Sequence, residues 1–304
     1  DYNVAVGYKA GDTMTSGVRN TLIGTSAGDA LTTGGYNVAI GMYALSAEDG
    51  HGKNVAIGYD ALKVQNAGAD AYNVAVGYDA GLAMTIGSRN TIIGALAGDA
   101  LTTGYYNTAL GYQALSSSQT GRNAVAIGYQ ALMTEASTNT ETYNVAVGYR
   151  AGYLVSTGVQ NVFIGGSAGD AYTTGGQSVG IGFEALSTED DHGGSTAIGY
   201  RALKMQDSGA ANKNVAVGYN AGTNVTTGVE SVFIGGGAGD AVTTASANVA
   251  IGYNALSTED TMGNNVAVGY KALQDLNAGE NGNTVAIGAE AGRRLSTGVK
   301  NTIV

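Results

Sequence analysis

Four aspartates stand at one register of the chain, each inside a Gly-Asp-Ala-x-Thr-Thr run: Asp29, Asp99, Asp170 and Asp240. Carboxylates repeated in this way could bind calcium, a hard cation that takes oxygen ligands. A short acidic segment with a histidine occurs twice, as Glu48-Asp49-Gly50-His51 and Glu189-Asp190-Asp191-His192. Carboxylate and imidazole together could hold a transition metal. In both cases the plainer reading is structural. An Asp side chain at a turn accepts backbone N–H groups, and Gly121 and Met262 replace the two histidines at the equivalent positions elsewhere. A turn and a solvated acidic turn are therefore expected, with no metal and no cofactor.

Other chemistry is scarcer still. Two histidines confined to such turns cannot build a Ser/His/Asp set, and carboxylate pairs such as Glu259-Asp260 lack an apolar pocket to tune them. Without an identifiable acid–base pair, an enzyme is not expected. No Gly-x-Gly-x-x-Gly or Gly-Lys-Ser/Thr signature occurs, so runs such as Gly235-Gly236-Gly237 read as structural rather than phosphate-binding. Regularly spaced tyrosines could form a platform for sugars, although their fixed register favours packing. Paired threonines such as Thr32-Thr33 recur too sparsely for the flat array that ice binding needs.

The composition narrows the field further. Of 304 residues 50 are glycine, more than twice the usual share of about 7%. Proline, cysteine and tryptophan are absent, which removes disulfides and thiolate metal sites. A formal net charge of −10 argues against nucleic acid as a partner, because phosphate affinity needs clustered Lys and Arg. No apolar run approaches the roughly 18 residues that would insert into a membrane.

What must position these residues is a repeat. The phrase Asn-Val-Ala-Ile-Gly-Tyr-x-Ala-Leu/Gly begins at Asn3, Asn20, Asn37, Asn54 and Asn73 and continues to Asn301, in steps of 17, 17, 17 and then 19 or 20 residues. This gives 17 complete units of 17–20 residues, grouped in fours as 3–72, 73–143, 144–213 and 214–283, with a partial group at 284–304. The longer fourth steps end near Asp70, Glu141, Ala211 and Gly282 and should loop out on the surface. No domain boundary interrupts residues 1–304, and both ends fall in register, so the chain reads as a window of a longer protein.

Two β-branched residues two apart, bounded by Asn and Gly, read as a short strand with one buried face. Asn and Gly would supply left-handed corners. Stacked coils would form a ladder of Val4, Val6, Ile40, Ile57, Val76, Ile127, Ile198 and Ile251, with Gly7 and Gly58 at corners and Ala10 and Ala61 in a narrow core. The expected fold is an all-β parallel β-solenoid, or β-roll, of about 17 coils, a rod of roughly 80 Å at the usual strand spacing.

The residue between the two β-branched positions is Ala in most coils, but Leu22, Ile92, Phe163, Phe233 and Ile303 replace it at intervals. Where it is large, the residue after the Gly shrinks from the usual Tyr to Thr25, Ala95, Gly166 or Gly236. The two positions are expected to fill one space by trading volume. That would place the second face against sister chains and predicts a homotrimer, with a single-chain solenoid as the alternative.

The Val-Ala-Ile-Gly phrase with its spaced Ala resembles the head repeats of trimeric autotransporter adhesins. The fuller phrase, as in Asn107-Thr108-Ala109-Leu110-Gly111-Tyr112-Gln113-Ala114-Leu115, is similar to the shaft repeats of phage tail-fibre proteins. The resemblance covers the whole chain. It implies three chains wound side by side, an extracellular place on a virion or cell surface, and self-association that continues end to end. A receptor-binding tip or self-cleaving chaperone often follows such shafts, so host glycans or receptors would be met by segments outside this window. The leading reading is a structural shaft; the alternative is a glycan-binding adhesin module using projecting turns or the tyrosine ladder.

Overall fold

The computed structural model describes residues 2–136, 141–209, 212–258, 261–277 and 282–304. The chain is an all-β parallel β-solenoid of about 17 turns, with no helix among the described residues. Two compact units divide it, Asp1–Thr157 and Gly158–Val304. The first holds nine strands of three residues, from β1 (Val4–Val6) to β9 (Val145–Val147); the second runs from β10 (Val162–Ile164) to β18 (Thr302–Ile303). Within each unit every strand pairs in parallel with the next, residue on equivalent residue. Ala39 lies over Ala56 and Ala56 over Ala75 in the first unit; Ala216 lies over Phe233 and Phe233 over Ala250 in the second.

The ladder forms where it is expected, but its faces are reversed. Internal strands are half-buried, buried, half-buried along their three residues. The central alanines, Ala56 among them, are wholly enclosed. Ile40, Ile57, Val76, Ile127 and Ile251 are half-buried on the outside, Ile198 is exposed, and Val4 and Val6 are 49% and 57% exposed on the end coil. Volume decides this, not hydrophobicity. The coil is too narrow to hold β-branched side chains at two of every three strand positions, so the methyl of Ala goes in and the larger residues go out. The core is completed by the spaced Ala, such as Ala61, and by Leu45, Leu62, Leu115 and Leu132, all wholly buried. Ala10, on the first coil, is half-buried.

The volume trade also runs between different partners. Phe163 and Phe233 are buried inside, whereas the tyrosines after the Gly are mostly exposed. The two positions lie on opposite sides of the wall and share no space. Room for Phe163 comes from Gly169, where a Cβ would meet its ring at 2.4 Å, and from Gly180; room for Phe233 comes from Gly222 and Gly239.

The corner chemistry departs from expectation as well. None of the phrase-opening asparagines has a left-handed backbone; the positive φ falls on the residue before, such as Tyr36 (63°) and Lys53 (63°). The asparagines are buried, and they are needed for their amides. The Asn37 N–H donates to Asn20 Oδ1 at 2.9 Å and the Asn54 N–H to Asn37 Oδ1 at 3.1 Å, while Asn20 Nδ2 donates to the Gly34 carbonyl at 2.9 Å. In the second unit Asn161 Oδ1 takes the Ser178 N–H and its Nδ2 reaches the Gly175 carbonyl. The Oδ1 of each of these side chains links its coil to the next, and in Asn20 and Asn161 Nδ2 also closes the residue's own turn. Of the longer steps, Asp70 is tied back by Lys53 Nζ at 2.6 Å, and Glu141 bridges to Arg122. Gly282 accepts the Lys300 N–H at 2.6 Å; Ala211 lies outside the described residues.

The glycine that ends each strand is fixed by two constraints at once. Gly58 has φ +142°, a region open essentially to glycine alone, and a Cβ there would lie 2.1 Å from the Gly77 carbonyl oxygen of the next coil. Gly68 has φ +67° with open space around it. Gly68→Ala should therefore cost only the left-handed penalty, about 1–2 kcal/mol. Gly58→Ala should cost more than about 3 kcal/mol by adding a backbone clash. Urea denaturation of the two variants measures this; equal midpoints would contradict the stacking at the corner.

Candidate functional site

The residue after each corner glycine points outward, so equivalent tyrosines stack along the solenoid. In the first unit Tyr59 and Tyr78 lie 5.3 Å apart and nearly parallel, and Tyr112, Tyr129 and Tyr149 continue at 5.6 and 5.4 Å. In the second, Phe183, Tyr200 and Tyr219 form one run and Tyr253 and Tyr270 another. Offset stacks of this kind contribute about 0.5–1.5 kcal/mol per pair beyond burial. The runs break at Ala95 and at Gly236. Between Tyr219 and Tyr253 the break opens a cavity of about 370 Å³, edged by Asn220, Asp240 and Asn254.

A second aromatic column escaped the sequence reading. The residue before each phrase alternates between Tyr and a cation over much of the first unit: Tyr2, Arg19, Tyr36, Lys53, Tyr72, Arg89, Tyr106. Arg19 lies 5.2 Å from the Tyr36 ring centre, Lys53 5.0 Å from Tyr72, and Arg89 5.5 Å from Tyr106. Arg19 and Lys53 also donate to the phenol oxygens of Tyr36 and Tyr72, the latter at 3.0 Å, so hydrogen bonds act beside the attraction of the ring quadrupole. The signal was the alternation at one fixed offset, hidden because these residues precede the phrase.

The sequence candidates are placed as follows. Asp29, Asp99, Asp170 and Asp240 are all half-buried. The Asp99 and Asp240 carboxylates accept backbone N–H groups of their own turn, from Asp99 and Ala100 and from Asp240 and Ala241. These bonds pull the pKa down, yet burial dominates and raises it. His51 and His192 each sit beside the glutamate three residues earlier, with Nδ1 3.8 Å from Glu48 and 4.0 Å from Glu189. Glu48, Asp49 and His51 place one ligand atom each within 4.8 Å of one another, as do Glu189, Asp191 and His192, a donor set that suits zinc. The same glutamates close the turn by accepting the histidine N–H at 3.2 Å. Glu259-Asp260 lies outside the described residues.

These turns are not simply solvated. Glu48 and Glu189 are wholly buried, and so are Glu135, Gln65 and Gln206, which lie at the same offset in other coils. They join the asparagine ladder: Asn73 Nδ2 donates to Gln65 Oε1 at 2.8 Å, Asn144 Nδ2 to Glu135 Oε1 at 3.0 Å, and Asn214 Nδ2 to Gln206 Oε1 at 2.9 Å. Gln206 and Asn212 in turn donate to Glu189. A polar seam thus runs inside the coil, which the outward look of an acidic tetrapeptide concealed. No described helix is long and apolar enough to cross a membrane.

No family model matches the chain, and no curated protein sequence is significantly similar to it.

The seam makes stability depend on pH. Burial raises the pKa of Glu48, Glu135 and Glu189 above the ordinary 4.5, so the folded chain holds these protons more tightly than the unfolded one. The resulting stability is fully present below that ordinary value and is lost as pH rises through the folded values. Asp70 and Glu184, held low by Lys53 and Lys204, act in the opposite sense, in a window below the ordinary range. Melting temperature should therefore fall as pH rises above the ordinary glutamate value of 4.5, and Glu135→Gln should flatten that fall. A melting temperature that rises over that range in the parent would contradict the burial of these groups.

Proposed function

We propose that the chain is the shaft segment of an extended trimeric fibre, displayed outside the cell on a virion or cell surface, that spaces a receptor-binding tip from its base. The single observation that carries this reading is the uninterrupted register within each unit: every coil pairs with the next through equivalent residues. The similarity of the repeat phrase to tail-fibre shafts and adhesin heads supports the same reading. The mechanism is mechanical. Parallel strands, an asparagine ladder and stacked glycine corners resist stretching and leave few cleavable loops, and the negative charge keeps separate fibres apart. The chain carries no turnover of its own.

The trimer draws support from a different face than the sequence suggested. The central alanines are buried by the coil itself, so sister chains would cover the outward valine and isoleucine columns instead. Contiguous exposed apolar surface of this kind marks an interaction site. Grouping in fours then sets how often a longer turn and a break in the tyrosine ladder recur along the fibre.

Sedimentation equilibrium should give about three times the chain mass of 30.3 kDa. The double variant Ile40→Lys and Ile57→Lys should shift it to a single chain while circular dichroism keeps its β signature. A single-chain mass for the parent would sink the trimer. Deleting residues 73–143 in phase removes one group of four coils and should leave a folded particle shorter by about 19 Å; loss of folding, or of a binding or catalytic activity, would sink the shaft.

A further inference from the structure

The tyrosine ladder of the second unit has a missing rung. Rungs there lie 5.1 to 5.8 Å apart, and Gly236 occupies the one between Tyr219 and Tyr253. It brings no side chain, and a Cβ on it would already touch the Tyr253 ring at 3.5 Å. The next residue, Gly237, is also bare, whereas Ser26, Leu96 and Ser167 stand at its register in the equivalent coils. Two consecutive absences open the cavity of about 370 Å³, with an aromatic wall on either side.

The rim of this gap is polar. Asn254 Oδ1 and Asp240 Oδ2 reach over Gly237, 2.4 and 3.4 Å from where a Cβ would be, and Asn220 edges the gap beside them; the Oδ1 atoms of Asp240 and Asn220 are closed off behind the rim. Asp240 accepts, and the two asparagine amides both accept and donate, so a ligand with hydroxyls at its edge and apolar faces above and below fits. A bare arene would satisfy the walls but offer the rim oxygens no donor in place of the water it displaces, which costs binding. A nucleotide would set its phosphate beside Asp240 on a chain of net charge −10. A sugar ring in its chair form offers C–H faces to the negative faces of the tyrosines and hydroxyl protons around its rim.

We propose that the gap between Tyr219 and Tyr253 is a binding site for one hexopyranose ring, stacked between the two tyrosines and hydrogen-bonded at its rim to Asp240 and Asn220. In the first unit the equivalent rung is vacant at Ala95, between Tyr78 and Tyr112, but Leu96 stands at the Gly237 register. The second unit therefore holds the better site. Its existence is separate from the shaft reading: mass and length test that reading, and sugar titration tests this one.

Saturation-transfer NMR with methyl α-D-mannopyranoside, methyl β-D-glucopyranoside, methyl β-D-galactopyranoside and N-acetylglucosamine as probes decides it. At least one should bind with a Kd on the order of 1 mM, the range open to so small a ligand. Gly236→Tyr restores the residue most other coils carry at this rung, at a backbone angle that is not left-handed. It should fold, fill the gap with a ring and weaken binding at least about tenfold. Tyr253→Ala, which removes an exposed wall, should weaken it similarly and serves if Gly236→Tyr does not fold. Absence of binding to all four probes, undiminished binding in the folded variants, or binding of phenol without binding of any pyranoside would each overturn the proposal.

Discussion

Each coil closes around a bore that admits little more than a methyl group at the centre of its strand, and the rest of the molecule follows from that limit. Close stacking demands glycine where one coil's corner carbonyl meets the next coil's Cα, as between Gly58 and Gly77. A strand centred on Ala leaves its two β-branched neighbours outside. Where the centre is Phe163 or Phe233, glycines at Gly169 and Gly239 retreat to make room. Interiors packed to crystal-like density allow no other arrangement.

A bore so narrow buries little apolar area per residue, and the polar seam offsets this by pairing what it encloses. Asparagine amides such as those of Asn20 and Asn161 satisfy two backbone groups each, and Gln65, Glu135 and Gln206 bind the asparagines. A buried network of this kind also specifies register, because slipping one coil by a residue would leave its paired amides opposite the wrong partners. Left-handed corners at residues such as Leu45 (φ 53°) and Tyr36 cost about 1–2 kcal/mol apiece in isolation. They persist because neighbouring coils fix them from both sides, as the Leu45 N–H donating to the Ala61 carbonyl at 3.0 Å shows.

Period and composition made the architecture legible in the sequence: a 17-residue step, a three-residue strand and an unvarying glycine leave few folds besides a parallel solenoid. The orientation of the strand was not legible, because alternation every second residue defines two faces without saying which is inside. Hydrophobicity pointed to Val and Ile; the available volume chose Ala. The asparagines were read as corner residues because their type tolerates left-handed angles, whereas Lys53 and Tyr36 take those angles and Asn37 and Asn54 supply hydrogen bonds. Of the candidate site, the tyrosine register and the Gly235-Gly236-Gly237 interruption could both be read from the sequence. That the interruption leaves a gap between two ring faces, with Asp240, Asn220 and Asn254 at its edge, depends on how the coils stack in space.

The inward alanine is the central claim, and the chain's lack of cysteine makes it directly measurable. A single thiol placed by Ala56→Cys, small enough to sit in an apolar interior, can be titrated with a thiol reagent in native buffer across a range of protein concentrations. Because the coil itself covers this position, labelling should proceed only at the rate of global unfolding, at every concentration. Labelling that is fast throughout, or that accelerates on dilution as sister chains part, would show that the strand faces the other way.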